Sequence, residues 1–436
     1  MKKNLIIFFI IILFSQGLLD AIGIPQVFSD ATLILLPVLV LLVNKQKLRI
    51  APGWRLVLLY VLWSVFAGIY HGETITRPLL FSRYLVIGYL ILLAVYNTYF
   101  SEKQIRQINR TVFIMFFVQI AAALIELFFI GRTEAMVGTM MSGGGGPATT
   151  FPMFAFALFF SFFLFTQKVK HLLAGLAFII VGYASGKLGI YFLIPLIAII
   201  ALFLHSKQYS GVPFFNKRVI KPVLGIMGLL LLAAILLPTA DDRTERLDLS
   251  KLSYKDRIES FFNYAYEGRK SNIGAEYTGT RIGTSIRVID ETFSRSPVVF
   301  AFGQGYKAYD DLGHSYGEGT YEEYGIVYGI TGWTHDALIY GWPLMILHVG
   351  FFLLIYRKLK KSRKHFKYKH PWDIYLFATI LMFFVFIINY FLYNTNYTIG
   401  GWMICIHMYF AGILLAPQYK IKLTADKLES ESINNK

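Results

Sequence analysis

The chain has 436 residues, 56% of them apolar and only 16% charged, with a mean hydropathy of +0.54. This balance excludes a string of soluble domains and points to an all-α polytopic membrane protein. The net charge is +16, yet about 16 of the 26 acidic residues fall between Asp241 and Asp336, against about 11 Lys and Arg there. The positive surplus therefore sits in short loops between apolar runs, which is an orientation signal, and no nucleic-acid partner is expected.

The opening stretch MKKNLIIFFIIILF has signal-peptide character, but no small-residue cleavage site follows it, so it reads as a retained first span. About twelve apolar runs are long enough to be transmembrane helices: 4–23, 26–43, 54–70, 79–98, 111–130, 150–166, 170–184, 188–205, 221–238, 337–356, 373–394 and 401–416. Pro37 interrupts the second, and the seventh is short. The only cysteine, Cys405, lies inside the last run, which rules out an intramolecular disulfide and a thiolate metal cluster.

Loop charge orients these runs. NKQKLR, SEKQIRQINR, QKVKH, NKRVIK and RKLKKSRKHFKYKH alternate with the weakly charged HGETITRP, GRTEAMVGTMMSGGGGPATT and TNYTIG. With Lys2 and Lys3 inside, the positive-inside rule holds at each short loop, both termini are cytoplasmic, and His335 faces the extracytoplasmic side of the plasma (inner) membrane. The expected organisation is a bundle of about nine spans over 1–238, one large extracytoplasmic loop over 239–336, about three spans over 337–416, and a cytoplasmic tail over 417–436.

The large loop is far longer than an ordinary connection, which favours a functional segment. LSYKDRIESFFNYAYEG has helical spacing, and GTSIRVIDETFSRSP reads as a short helix that starts at a Thr/Ser cap and stops before Pro297. VVFAFGQGY reads as an extended run entering a glycine-bracketed turn.

Five residues are candidates for chemistry. His335, at the opening of the tenth run, is either an interfacial histidine that caps a helix end or a general base able to take a proton from a sugar hydroxyl. A helix N-terminus disfavours its charged form and Asp336 favours it; Asp336 itself reads as a partner of the helix dipole. Arg281 and Arg287 flank IGTSI, and Arg287 either pairs with Asp290 and Glu291 or forms an anion clamp. Lys187 and Arg83 lie near the same face, where a charge within a span either snorkels or lines a polar cavity. No metal-ligand spacing, P-loop or nucleophile elbow occurs, so no cofactor or metal is expected.

The order TSIRVIDETFSRSPVVFAFGQGYKAY, then THDALIYGWPLMILHVGFFLLIYRKL, resembles the O-antigen polymerase and ligase superfamily of membrane glycosyltransferases. ASGKLGIYFLI looks like that family's earlier Ser-Arg motif, with Lys187 in place of Arg, and Asp336 stands where the family often has Asn. The resemblance implies a GT-C-like membrane fold with His335 as catalytic base and Arg287 as its catalytic partner. Arg281, Lys187 and Arg83 would bind pyrophosphate. The implied donor and acceptor are undecaprenyl-pyrophosphate-linked oligosaccharides among membrane lipids, and a chain-length regulator is compatible with it. The implied activity is repeat-unit polymerisation, with ligation to lipid A core or transport as alternatives. A pyrophosphate leaving group needs positive charge but not necessarily a metal, and arginines can supply it.

Overall fold

The computed structural model describes residues 1–44, 47–129, 138–140, 146–184, 189–208, 296–305, 331–366, 370–393 and 401–417. Isolated positions at 221, 223–225, 228, 285, 286, 288, 289, 292 and 293 are described as well. Among the described residues the regular structure is entirely helical. The first half of the chain forms α1 (Lys2–Phe14), α2 (Gln16–Ala21), α3 (Gln26–Leu42), α4 (Trp54–Tyr70), α5 (Thr76–Asn97) and α6 (Glu102–Phe129). There follow α7 (Gly146–Thr166), α8 (Val169–Ala177), α9 (Ile179–Ala184) and α10 (Gly189–Gln208). The C-terminal part contributes α11 (Pro297–Phe302), α12 (Gly332–Tyr340), α13 (Trp342–Ser362), α14 (Pro371–Ile388) with a π-turn over Asn389–Tyr393, and α15 (Gly401–Leu415).

Six stretches are long and apolar enough to cross a membrane: Thr76–Asn97, Glu102–Phe129, Pro147–Thr166, Gly189–Gln208, Trp342–His365 and Pro371–Leu392. Shorter apolar helices cover Gln26–Leu42, Trp54–Tyr70, Val169–Gly182 and Gly401–Leu415. This is the pattern of a multi-pass membrane protein. Most of the expected run 221–238 and of the loop, with Arg281, Arg287 and Lys187, lies outside the described residues.

Without water, helices in a bilayer associate through close packing and polar contacts, not through a hydrophobic force. The centre of the bundle follows that rule. Every residue of α15 is buried, and it lies along α5. Gly88 of α5 meets Ile404, Gly401 meets the Tyr84 ring, and Gly412 meets the Leu92 carbonyl, so a Cβ at each position would hold the two helices apart. Phe116, Phe151, Phe154 and Trp402 fill the space between α6, α7 and α15, largely edge to face, the arrangement that ring quadrupoles favour.

Polar contacts define two ends. At one, Lys2 Nζ donates to Asn44 Oδ1 (2.7 Å), Asn44 donates to the Asn97 carbonyl (2.7 Å), and Asn97 exchanges hydrogen bonds with the Arg49 backbone. Lys3 donates to Gln107 (2.9 Å), and Gly53 lies against Phe351 and Ile355. This end therefore carries Lys2, Lys3 and the basic loop around Arg49. At the other end, Gln16 donates to Asp30 (3.2 Å), Gln26 to the Tyr84 hydroxyl (2.7 Å), and Tyr340 to Glu73 (2.7 Å).

Four local expectations change. The helix α3 runs through Pro37 without a break, and the first run divides at Ser15. Residues 297–302 are helical where the sequence suggests an extended run. Ser296 caps that helix by accepting from the Val299 amide, and Pro297 occupies its first position, a start signal that outweighs the β-branched Val298 and Val299. The tenth run is two helices, because Gly341 takes φ +87° and Pro343 restarts the chain as α13.

Candidate functional site

That break determines the setting of His335. It lies within α12, a short helix whose nine residues are all buried, and not at the threshold of a long span. Thr331 and Thr334 form a reciprocal capping box at the N-terminus of α12, with the Thr331 amide donating to Thr334 Oγ1 (2.9 Å). The turn over 302–305 closes its C-terminus: the amides of Gln304 and Gly305 donate to the carbonyls of Leu338 (2.7 Å) and Ile339 (2.9 Å). Helix ends leave such carbonyls without intrahelical partners, so the turn supplies a cap from a distant part of the chain. Gly303 and Gly305 have φ of +70° and +84°, and a Cβ at Gly303 would run into the Ile339 carbonyl.

Asp336 is the hub of the site. Its carboxylate has no exposed surface. Oδ2 accepts from His348 Nδ1 (2.8 Å) on α13 and from the Tyr390 hydroxyl (2.5 Å) on the π-turn. On the other oxygen, Oδ1, His335 Nδ1 lies 3.7 Å away, within ion-pair reach but too far for a hydrogen bond. The carboxylate therefore sits between two imidazoles. Burial pushes the Asp336 carboxyl up, but His348 and His335 outweigh that and hold it below the usual carboxylate range.

Aromatic residues enclose this group. Phe81 of α5 stacks on His335, with centroids 5.3 Å apart and planes 7° apart. Tyr60 of α4 meets His348 edge-on at 5.5 Å. Gly332 packs against the Tyr390 ring, and Trp333 Nε1 donates to the Phe391 carbonyl (3.1 Å). The π-turn that presents Tyr390 is anchored where Thr150 of α7 donates to Asn389 Oδ1 (2.5 Å). Widened turns of this kind often occur at functional positions. Further toward the end of the bundle, Trp63 Nε1 donates to the Tyr340 carbonyl (3.0 Å), and His71 Nε2 donates to that of Phe302 (3.0 Å).

Of the five candidates, His335 and Arg83 are described. Arg83 Nε lies 3.0 Å from Asp30 Oδ2, and its guanidinium packs over Tyr84 at 4.5 Å while donating to the Tyr84 hydroxyl (3.2 Å). An intramembrane cation with an anionic partner is the expected pairing, so this arginine already shares its charge with a carboxylate. Phe81 connects the two regions, stacked on His335 and two residues before Arg83. Arg281, Arg287 and Lys187 lie outside the described residues. The chain beside Arg287 is described: Val288 packs with Ala337 and Leu338 of α12, and Trp342 Nε1 donates to Thr292 (2.9 Å).

Two members of the group, His348 and Tyr390, were not singled out from sequence, and Asp336 was given a different role there. Asp336 is no first-turn dipole partner; it lies past the Thr331 cap and binds other helices. His348, in LMILHVGF, is an ionisable residue inside an apolar run, and that isolation was a usable signal. Tyr390 carried none, because its partner lies across the bundle. Among the described residues no group of three or more His, Cys, Asp or Glu is set to hold a metal.

The chain matches no model of a known protein family, and a search of curated proteins found no match.

Proposed function

We propose that this chain is a membrane glycosyltransferase that polymerises lipid-linked oligosaccharide repeat units at the extracytoplasmic face of the plasma membrane. The observation that carries the reading is the His335 imidazole set beside a wholly buried carboxylate, at the end of the bundle away from the basic loops. The resemblance of the TSIRVIDETF and THDALIYGWP segments supports the same assignment. In this reading the chain has about twelve spans, both termini are cytoplasmic, and 239–336 forms a large outer loop.

The reaction joins a sugar hydroxyl of one undecaprenyl-pyrophosphate-linked oligosaccharide to the anomeric carbon of another. His335 Nε2 takes the hydroxyl proton as the new C–O bond forms. The bond between the anomeric carbon and pyrophosphate breaks, and its electron pair leaves with polyprenyl pyrophosphate. Arg287, with Arg281 and Lys187, supplies positive charge to that leaving group. Arg83 contributes once it is shared between phosphate and Asp30.

The test uses the purified protein in nanodiscs with polyprenyl-pyrophosphate-linked repeat units. The wild type should build a ladder of products, and His335→Ala should leave single units. A ladder from His335→Ala equal to that of the wild type would remove the assignment. Transfer only to an added lipid A core would instead identify a ligase using the same base. The partly shielded Asp30–Arg83 pair favours a second reading, a transporter, because such pairs also couple ions to transport. Movement of lipid-linked glycan across the bilayer without new glycosidic bonds would support it.

A further inference from the structure

We propose that Asp336, gripped by His348 and Tyr390, is the positioning anion of His335, so that the base of the transfer is a four-residue unit drawn from three segments of the fold. The chemical role rests on the glycosyltransferase reading; the coupling between the residues does not.

A wholly buried carboxylate is costly unless donors satisfy it. Here both donors, His348 Nδ1 and the Tyr390 hydroxyl, converge on Oδ2. Oδ1 accepts no hydrogen bond among the described residues, and it is the oxygen beside His335 Nδ1. One oxygen therefore anchors the group, while the other directs its charge at a single imidazole. Hydrogen bonds of catalytic groups are often long before substrate binds and tighten in the complex, so 3.7 Å is a resting distance.

Facing Asp336 are His348 from α13, Tyr390 from the π-turn, Tyr60 from α4, and His335 from its own helix. Among the described residues its ion-pair partners are the two histidines. Facing His335 from α5 is the apolar Phe81.

An anion at Nδ1 keeps the proton on that nitrogen in the neutral ring and leaves the lone pair on Nε2. When the acceptor hydroxyl is deprotonated, its proton goes to Nε2, and Asp336 stabilises the resulting imidazolium. The Nδ1 proton stays in place throughout. The Nε2 proton passes to water after the polyprenyl pyrophosphate has left. Asp336 touches no substrate in this scheme, and His348 and Tyr390 act one step further back.

The test is the 15N spectrum of the full-length protein in nanodiscs, with labelled histidine and His335 assigned from the spectrum of His335→Gln. Neutral His335 should be the Nδ1–H tautomer. Asp336→Asn should weaken that preference. His348→Leu and Tyr390→Phe should turn the neutral ring into a mixture of tautomers, while His348→Asn, which keeps an N–H near the place of Nδ1, should restore the wild-type spectrum. Thermal unfolding of each variant shows that it is folded, and Tyr390→Phe is mild enough to test the point should His348→Leu fail to fold.

In transfer assays, Asp336→Asn should reduce kcat, with donor KM unchanged. An unchanged tautomer in folded Asp336→Asn would overturn the proposal. The expected tautomers in a protein that makes no glycosidic bond would support the unit and defeat only the glycosyltransferase reading.

Discussion

His348 Nδ1 lies 2.8 Å from Asp336 Oδ2, although the two residues are twelve apart and the chain turns sharply at Gly341 between them. On one continuous helix twelve residues span about 18 Å, so this hydrogen bond requires the break. The glycine, the carboxylate and the imidazole form one device that folds α12 back onto α13. Its consequences are measurable.

The carboxylate of Asp336 should act as an anion across the physiological range. Its folded pKa is depressed, so its stabilisation is fully present above its unfolded value near pH 4 and is lost as pH falls through the lower folded value. Asp336→Asn should lower the unfolding temperature by an amount equivalent to about 1.5–3 kcal/mol. Thermal melts in detergent should show the same deficit at pH 6 and pH 8, narrowing only below about pH 4. A deficit that vanishes at pH 6 would contradict an ionised group.

Gly341→Ala should damage the site from a distance. The position has φ +87°, and an added Cβ would strike the Ala301 carbonyl. The strain should be about 1–3 kcal/mol in stability. The mixture of His335 tautomers described above should appear as well, because α12 loses its angle to α13. A variant with wild-type stability would show that another conformation is available at the break.

Arg83 and Asp30 should behave as a coupled pair. Their side chains are 22% and 9% exposed, so removing either partner leaves a poorly solvated charge. Each of Arg83→Gln and Asp30→Asn should destabilise by about 2–3 kcal/mol, and the double variant by clearly less than the sum. If Arg83 also holds phosphate, Arg83→Gln raises donor KM while Asp30→Asn lowers it. Additive stability losses would refute the coupling.

Sidedness is open to direct labelling. The only cysteine, Cys405, is buried, so the native chain should be silent to a membrane-impermeant thiol reagent. Thr74→Cys, at the end away from the basic loops, should label in intact cells. Lys47→Cys, at the basic end, should label only after permeabilisation. The reverse pattern would place the site in the cytoplasm.

Much of the scaffold was legible because it depends on one-dimensional quantities. The lengths of the apolar runs and the clustering of Lys and Arg at alternate loops account for the helices over Thr76–Asn97, Pro147–Thr166 and Pro371–Leu392. Pro37 was a misleading break signal, since proline is tolerated where neighbouring helices and local adjustment satisfy the freed carbonyl. Val298 and Val299 were misleading as well, because the Ser296 cap outweighed their β preference. His335 stood out as an ionisable residue beside an apolar run.

By itself, then, the sequence determined that this is a membrane-embedded helical chain with a charge asymmetry along its axis, and it marked His335 as a residue to explain. Hydropathy and loop charge are sums over neighbours along the chain, which is why they could be read without a fold. Only the tertiary structure decided that Asp336 is the centre of the group, that His348 and Tyr390 hold one of its oxygens, and that Arg83 is paired with Asp30. Those relations join α3 to α5, and α12 to α13 and the π-turn. Hydrogen bonds and ion pairs act over about 3–4 Å in space, and no periodicity along the chain encodes which distant residues come that close.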